Sequence, residues 1–72
     1  MVDVVAELVA SVAQVRVGPG QQVGEGETLL VVESMKMAMP VPSPAAGTVT
    51  DVWIAAGDVI QEGDLLVRIR PA

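Results

Sequence analysis

Residues 33–37 read Glu-Ser-Met-Lys-Met and lie at the middle of this 72-residue chain. An apolar run precedes them at residues 28–32, and a second apolar run, containing two prolines, follows at residues 38–42. Two strand-like runs that flank a short segment indicate a β-hairpin. Lys36, the only lysine, then lies near the tip with its amine in water. Because the chain has no histidine and no cysteine, this amine is its most distinctive chemical group.

Length and cysteine content limit the classes of protein that this chain can be. Seventy-two residues form a single small domain, here residues 1–72, which buries only about 60–65% of the surface that its unfolded chain exposes. Without cysteine there is no disulfide and no thiolate metal site, a composition that suits a reducing compartment. We therefore expect a cytoplasmic location.

The charge distribution argues against nucleic-acid and membrane partners. The formal net charge is −5, whereas binding of phosphate backbones requires clustered Lys and Arg. The N-terminal region lacks the basic segment of a signal peptide, and Asp3, Glu7 and Gln14 interrupt its apolar run. We expect neither a signal peptide nor a membrane span.

The pattern of β-branched residues and turn residues predicts a chain made of strands. Gly-Pro-Gly at residues 18–20 and the polar, glycine-rich residues 24–27 are turn signals. Pro40 and Pro42 lack the N–H that a central strand needs, so their strand is expected at a sheet edge or with its N–H groups turned outward. The predicted strands are residues 2–6, 12–17, 22–23, 28–33, 38–42, 48–54, 59–60 and 65–70.

The second half of the sequence repeats the first with a shift of 37 positions and no gaps. The shift superimposes Val15 on Val52, and Gly20 and Gly26 on Gly57 and Gly63. Two copies of a unit that cannot bury its apolar face alone are expected to pack face to face, with quasi-two-fold symmetry. The paired glycines should share backbone geometry, and at least one pair should have positive φ. Lys36, in the link between the copies, should lie at the end of the molecule opposite the termini.

Residues 33–37 resemble the biotin-attachment motif of the biotinyl/lipoyl carrier family, in which a lysine lies between two methionines. The resemblance continues in residues 18–30 and in residues 46–66, so it covers nearly the whole chain. It implies an all-β fold, a flattened β-barrel of two four-stranded antiparallel sheets. It also implies biotin joined covalently to Lys36 on a hairpin turn by a biotin protein ligase, with Met35 and Met37 as flanking motif residues.

The same resemblance implies the partners and the role of the chain. A biotin carboxylase would carboxylate the biotin, and a carboxyltransferase would pass the carboxyl group to an acyl-CoA or pyruvate-type substrate. The chain itself would be a non-catalytic carrier, since it has no base–nucleophile pair. Its proline-containing edge strands argue against association through sheets, so we expect a monomer.

The sequence departs from the family pattern at the first bend. Glu7, Val9 and Ala10 stand where the family favours Pro, Pro and Gly, while the second half keeps Pro44 and Gly47. Ser34 stands where alanine is frequent, next to the lysine motif.

Three alternative interpretations of the chain stay open. A lipoyl carrier has the same fold, but it usually has Asp before the lysine and Ala after it, where this chain has Met35 and Met37. A structural or interaction module without a cofactor would leave Lys36 an ordinary surface lysine. The acidic residues could be seen as a metal cluster, but they fall in turns, where such residues are common, and we expect no metal site.

Trp53 superimposes on Arg16 in the repeat and is expected to point outward.

Overall fold

The computed structural model describes residues 1–72, and all of its regular secondary structure is β-strand. The structure contains no helix of the length and apolar character needed to cross a membrane. The strands, in chain order, are β1 (Val2–Val5), β2 (Ala10–Val15), β3 (Gln22–Val23), β4 (Thr28–Ser34), β5 (Met37–Pro42), β6 (Gly47–Val52), β7 (Val59–Ile60) and β8 (Leu65–Pro71).

The strands form two four-stranded antiparallel sheets, which confirms the predicted fold class. The strand order is β1-β8-β6-β3 in the first sheet and β5-β4-β2-β7 in the second. The alternating apolar side chains of both sheets meet in one core of 14 buried residues, all aliphatic. The molecule measures 35 × 18 × 17 Å.

The predicted repeat is present in the strands and in their pairing. Shifting β2, β3 and β4 by 37 positions gives the bounds of β6, β7 and β8. The irregularity in β2 between Val12 and Gln14 recurs in β6 between Val49 and Asp51. The repeat also extends further than predicted, because the same shift carries β1 onto residues 39–42 of β5. Met37 and Ala38, the first two residues of β5, and the hairpin tip at Lys36 have no counterpart within a strand.

The two sheets pack face to face with the expected quasi-two-fold symmetry, but the two halves of the chain also exchange strands between the sheets. β3 pairs with β6 of the second half, and β7 pairs with β2 of the first half. To reach the opposite sheet, the chain must leave β2 and β6 early. These strands therefore run over Ala10–Val15 and Gly47–Val52, rather than over the predicted residues 12–17 and 48–54.

The four glycines that the repeat pairs all have positive φ. The angles are 91° at Gly20 and 95° at Gly57, then 85° at Gly26 and 89° at Gly63. The members of each pair therefore share backbone geometry, as predicted. Glycine adopts this conformation at no steric cost, which other residues do not.

The acidic residues of the turns accept hydrogen bonds from backbone N–H groups. Asp58 Oδ2 accepts from Ala55 N at 2.8 Å, and Asp64 Oδ2 accepts from Gln61 N at the same distance. Glu27 Oε1 accepts from Gly24 N at 3.1 Å. These carboxylates thus stabilise the turns in which the sequence places them.

Trp53 points outward, as predicted, and is 47% exposed. The guanidinium carbon of Arg68 lies 5.2 Å from the centre of its ring, within the range of a cation–π contact. Arg68 Nε also donates to Asp3 Oδ1 at 2.8 Å. This hydrogen bond and the charge of Asp3 raise the pKa of Arg68 above its ordinary value.

The symmetry-related edge strands β1 and β5 differ in their protection against pairing with another chain. β5 is an edge strand, as its prolines predicted, but the equivalent edge of the other sheet is β1, which has no proline. The inference that prolines protect the edges therefore holds for only one of these two symmetry-related strands.

The core can be tested at two apolar strand residues that differ in burial. Leu66 is buried, whereas Val15 is only partly buried at the end of β2. Leu66→Ala should lower the free energy of unfolding by about 2–4 kcal/mol, because it leaves a cavity in the core. Val15→Ala should cost clearly less, at most about 1.5 kcal/mol. Chemical denaturation of both variants gives the ranking, and an equal or greater loss at Val15 would contradict it.

Gly47 should tolerate no side chain, unlike its repeat counterpart Ala10. A Cβ at Gly47 would overlap the carbonyl oxygen of Arg70 and lie 2.9 Å from Ile69 Cγ2. Gly47→Ala should therefore destabilise the fold by about 2 kcal/mol or more, since backbone must move. Ala10→Gly is the matched control and should cost only about 1 kcal/mol. A thermal melt of Gly47→Ala that matched the unsubstituted chain would exclude this close approach.

Candidate functional site

The hairpin between β4 and β5 closes through two residues, Met35 and Lys36. Ser34 pairs with Met37, so these two residues alone form the turn. Both have positive φ, 52° at Met35 and 65° at Lys36, as in the type I′ turns of two-residue hairpins. The structure therefore places Lys36 at the tip of a hairpin, as the sequence predicted.

The side chains of the tip stand in water. Met35 is 92% exposed and Met37 is 64% exposed, and Lys36 is also exposed. Lys36 forms no ion pair, because the only salt bridge in the molecule joins Arg68 to Asp3. The tip is thus an unpaired primary amine between two exposed thioethers.

The backbone conformation of the tip is unfavourable for the two residues that occupy it, Met35 and Lys36. Type I′ turns favour Asn-Gly or similar pairs, because most side chains disfavour positive φ, at a cost of roughly 1–2 kcal/mol per residue. Met35 and Lys36 are not residues that type I′ turns favour at these two positions, so the sequence contained no signal for this turn geometry. The six paired positions between β4 and β5 hold the turn in place. Strain of this kind is typical of functional sites.

The root of the hairpin is fixed while its tip is free. Within β5, alternation places Met39 and Val41 on the inner face, where both are partly buried against the core. On β4, Val32 is buried in that core. Met39 supports the hairpin by packing against the core, a role that was not predicted. The alternation of Met39 and Val41 with the prolines of β5 could have indicated it.

Lys36 and the chain termini lie at opposite ends of the molecule, which confirms that prediction. β5 runs away from the tip for six residues, about 20 Å of extended chain. The chain then bends and enters β6 at Gly47, which pairs with Pro71 near the C-terminus. Ala72 N donates to Ala46 O at 3.0 Å, and Val2 at the N-terminus pairs with Ile69. Nothing near the termini obstructs the lysine.

The sequence pattern of the biotin/lipoyl family, described as "Biotin-requiring enzyme", matches residues 3–69. The chain belongs to this family. It is 52% identical over 67 residues to the biotinylated protein TB7.3 homolog of Mycobacterium leprae, a match that spans 93% of this chain and 94% of that protein.

The fold of this chain occurs in a solved carboxylase structure and in a solved lipoyl domain. A single-chain, multi-domain long-chain acyl-CoA carboxylase matches with a TM-score of 0.85 and 31% identity, over 90% of this chain but only 7% of that one. The lipoyl domain of the 2-oxoglutarate dehydrogenase complex from Azotobacter vinelandii matches with a TM-score of 0.83 and 25% identity, over 97% and 96% of the two chains. The fold therefore does not distinguish biotin from lipoyl carriers, and the residues around the lysine must do so.

The strain at the tip can be tested without removing the lysine. Met35→Asn should raise the free energy of unfolding by up to about 1 kcal/mol, because Asn tolerates positive φ and suits the first position of this turn. Met35→Ala is the matched control and should change stability by well under about 1 kcal/mol, since it shortens an exposed side chain without easing the backbone. Met37→Ala should be equally mild. Equal stability of Met35→Asn and Met35→Ala in denaturation would show that the turn carries no such strain.

Proposed function

We propose that this chain is a biotin carrier, with biotin joined by an amide bond to Nζ of Lys36. The observation that carries the proposal is the hairpin tip: the only lysine of the chain is exposed, unpaired and flanked by two exposed methionines. An amide at Nζ needs a primary amine that an enzyme pocket can reach, and this tip offers one with little obstruction. The relative from M. leprae, which is named as a biotinylated protein, supports the same assignment.

The residues around Lys36 are suited to recognition by a biotin protein ligase. Methionine is flexible and polarizable, and is common at adaptable contact surfaces. Met35 and Met37 are among the most exposed apolar side chains of the molecule, yet neither belongs to the core. We assign them to contact with the ligase and with the carboxylase components. The chain has no histidine, so deprotonation of the amine falls to groups of the ligase.

The role of the folded domain is tethering and delivery. Biotin, when bound, supplies the ureido ring that accepts and releases the carboxyl group. The rigid sandwich fixes the root of the arm, and tethering raises the local concentration of the ring at each active site that it visits. The partners that we propose are a biotin carboxylase and a carboxyltransferase, with the chain itself non-catalytic, monomeric and cytoplasmic.

A lipoyl carrier is the second candidate function, because a lipoyl domain shares the fold over nearly its whole length. The residues beside the lysine favour biotin, since Met35 and Met37 occupy the places where lipoyl carriers usually have Asp and Ala. Biotinyl, lipoyl and unmodified chains differ in mass, so an intact mass spectrum of the chain purified from its own cells separates the candidates.

The attachment site is tested by Lys36→Arg, co-expressed with a biotin ligase and probed with streptavidin. We expect complete loss of signal, because arginine keeps the charge but offers no comparable amine. The double variant Lys36→Arg with Arg70→Lys is the matched control, since it restores one exposed lysine away from the tip. It should also stay unlabelled. Signal on either variant would overturn the assignment of Lys36.

A further inference from the structure

The exposed large apolar side chains of the molecule lie almost all in one half. Met1 is the only one at the end that carries the termini. The others lie in the half of the sandwich that carries the hairpin tip, and they are Val5, Leu8, Val9, Met35, Met37, Trp53 and Val59. The quasi-two-fold scaffold does not require this imbalance, and clustered exposed apolar residues are a mark of interaction sites.

The repeat shows that the fold does not need three of these residues. A shift of 37 positions relates each of them to a small or polar residue near the termini. The pairs are Leu8 with Ala45, Val9 with Ala46, and Val59 with Gln22. Val9 is 62% exposed and Val59 is 71% exposed, and neither packs against the core. Because the equivalent places accept Ala or Gln, packing does not account for the apolar side chains at the lysine end.

These three residues lie beside the root of the lysine hairpin. Ser11 pairs with Val59 on one side and with Glu33 on the other, so Val59 is level with Glu33. Glu33 precedes Lys36 by three residues, about 10 Å along an extended strand. The bend at residues 7–9 leads into β2 just before Ser11, and it therefore lies at the same end.

From this arrangement we infer that Leu8, Val9 and Val59, together with Met35 and Met37, form the docking surface for a biotin protein ligase. We name these five residues the lysine-end surface. The inference rests on the proposed function, and it extends the ligase contact from the hairpin tip to the body of the sandwich. Uncharged, apolar side chains with methionine among them are typical of the centre of a protein interface.

The short reach of the unmodified lysine makes the ligase, rather than a carboxylase component, the occupant of this surface. The amine stands on a four-carbon stem, so the ligase pocket must close over the tip before Nζ can react. The rim of that pocket then meets the residues around the root of the hairpin. Attached biotin lengthens the arm, so the carboxylase components can reach the ring without such a close approach.

The repeat itself supplies the variant that tests the surface. The triple variant Leu8→Ala, Val9→Ala and Val59→Gln gives the lysine end the residues that the other end already carries. With purified biotin protein ligase from the same cells, the KM for the chain should rise at least about tenfold while kcat stays within about twofold. This split is expected because the lost apolar surface contributes to binding and not to the transfer step.

The matched control moves the same side chains to the opposite end, as Gln22→Val, Ala45→Leu and Ala46→Val. It should keep the KM within about twofold of the unsubstituted chain. An unchanged KM in the first variant, a fall in kcat alone, or an equal rise in the control would overturn the inference and leave biotin attachment to Lys36 intact. A chain that the ligase does not biotinylate at all would instead refute the proposed function, and the docking surface with it.

A second measurement does not depend on the stability of the triple variant. The ¹⁵N-labelled full chain carrying Lys36→Arg, which offers no amine for attachment, is mixed with the ligase, biotin and ATP. The amide signals of Leu8, Val9 and Val59 should shift or broaden together with those of the tip, while those of residues 22, 45 and 46 stay in place. Changes confined to residues 34–37 would show that the ligase contacts the tip alone, which contradicts the inference.

Discussion

Pairing between the two halves of the chain is the constraint on which the structure depends. The two-residue strands β3 and β7 each find their only strand partner in the other half, β6 and β2 respectively. Neither half can complete a four-stranded sheet alone, and an isolated hairpin or small sheet is marginal in water. The core forms only when both halves are present, so 72 residues with one aromatic side chain fold around aliphatic contacts alone.

The same symmetry explains why the hairpin tip is available for function. Under the repeat, the end of β4 corresponds to the end of β8, and the start of β5 to the region before β1. At one end of the molecule the chain joins these strands through Met35 and Lys36, and at the other end it terminates. No residue of the tip belongs to the core, so the sandwich does not depend on the side chains of Met35 and Lys36. A strained Met-Lys turn is tolerated there since its cost falls on a hairpin and not on the core.

Much of the strand and turn arrangement could be predicted from the sequence, because the same spacing of apolar residues and glycines occurs in both halves. The bounds of β3 and β7 and the positive φ at Gly20 and Gly57 follow from spacing and glycine. The lysine motif located the candidate site within a hairpin. The sequence did not predict the exchange of β3 and β7 between the sheets, because that exchange depends on long-range pairing that local patterns do not encode. Val15 is only partly buried because the register of β2 against β4 shifts between Val12 and Gln14, which interrupts the alternation of inward and outward residues.

The two halves differ most at the end of the molecule that carries the hairpin tip with Lys36. Gly47 pairs with Pro71, so β6 and β8 stay together to their ends and leave no room for a Cβ. The equivalent pair, Ala10 with Ser34, is absent, and pairing of β2 with β4 begins at Ser11 and Glu33. Ala10 can keep its methyl group because β4 has already separated from β2 at this point. Beyond it, residues 34–37 have only each other as ladder partners, so the tip projects past the sheet. Two differences between the halves therefore meet at this end of the molecule: Ala10 stands in place of glycine, and the hairpin carries Lys36 beyond the last pair of β2 with β4.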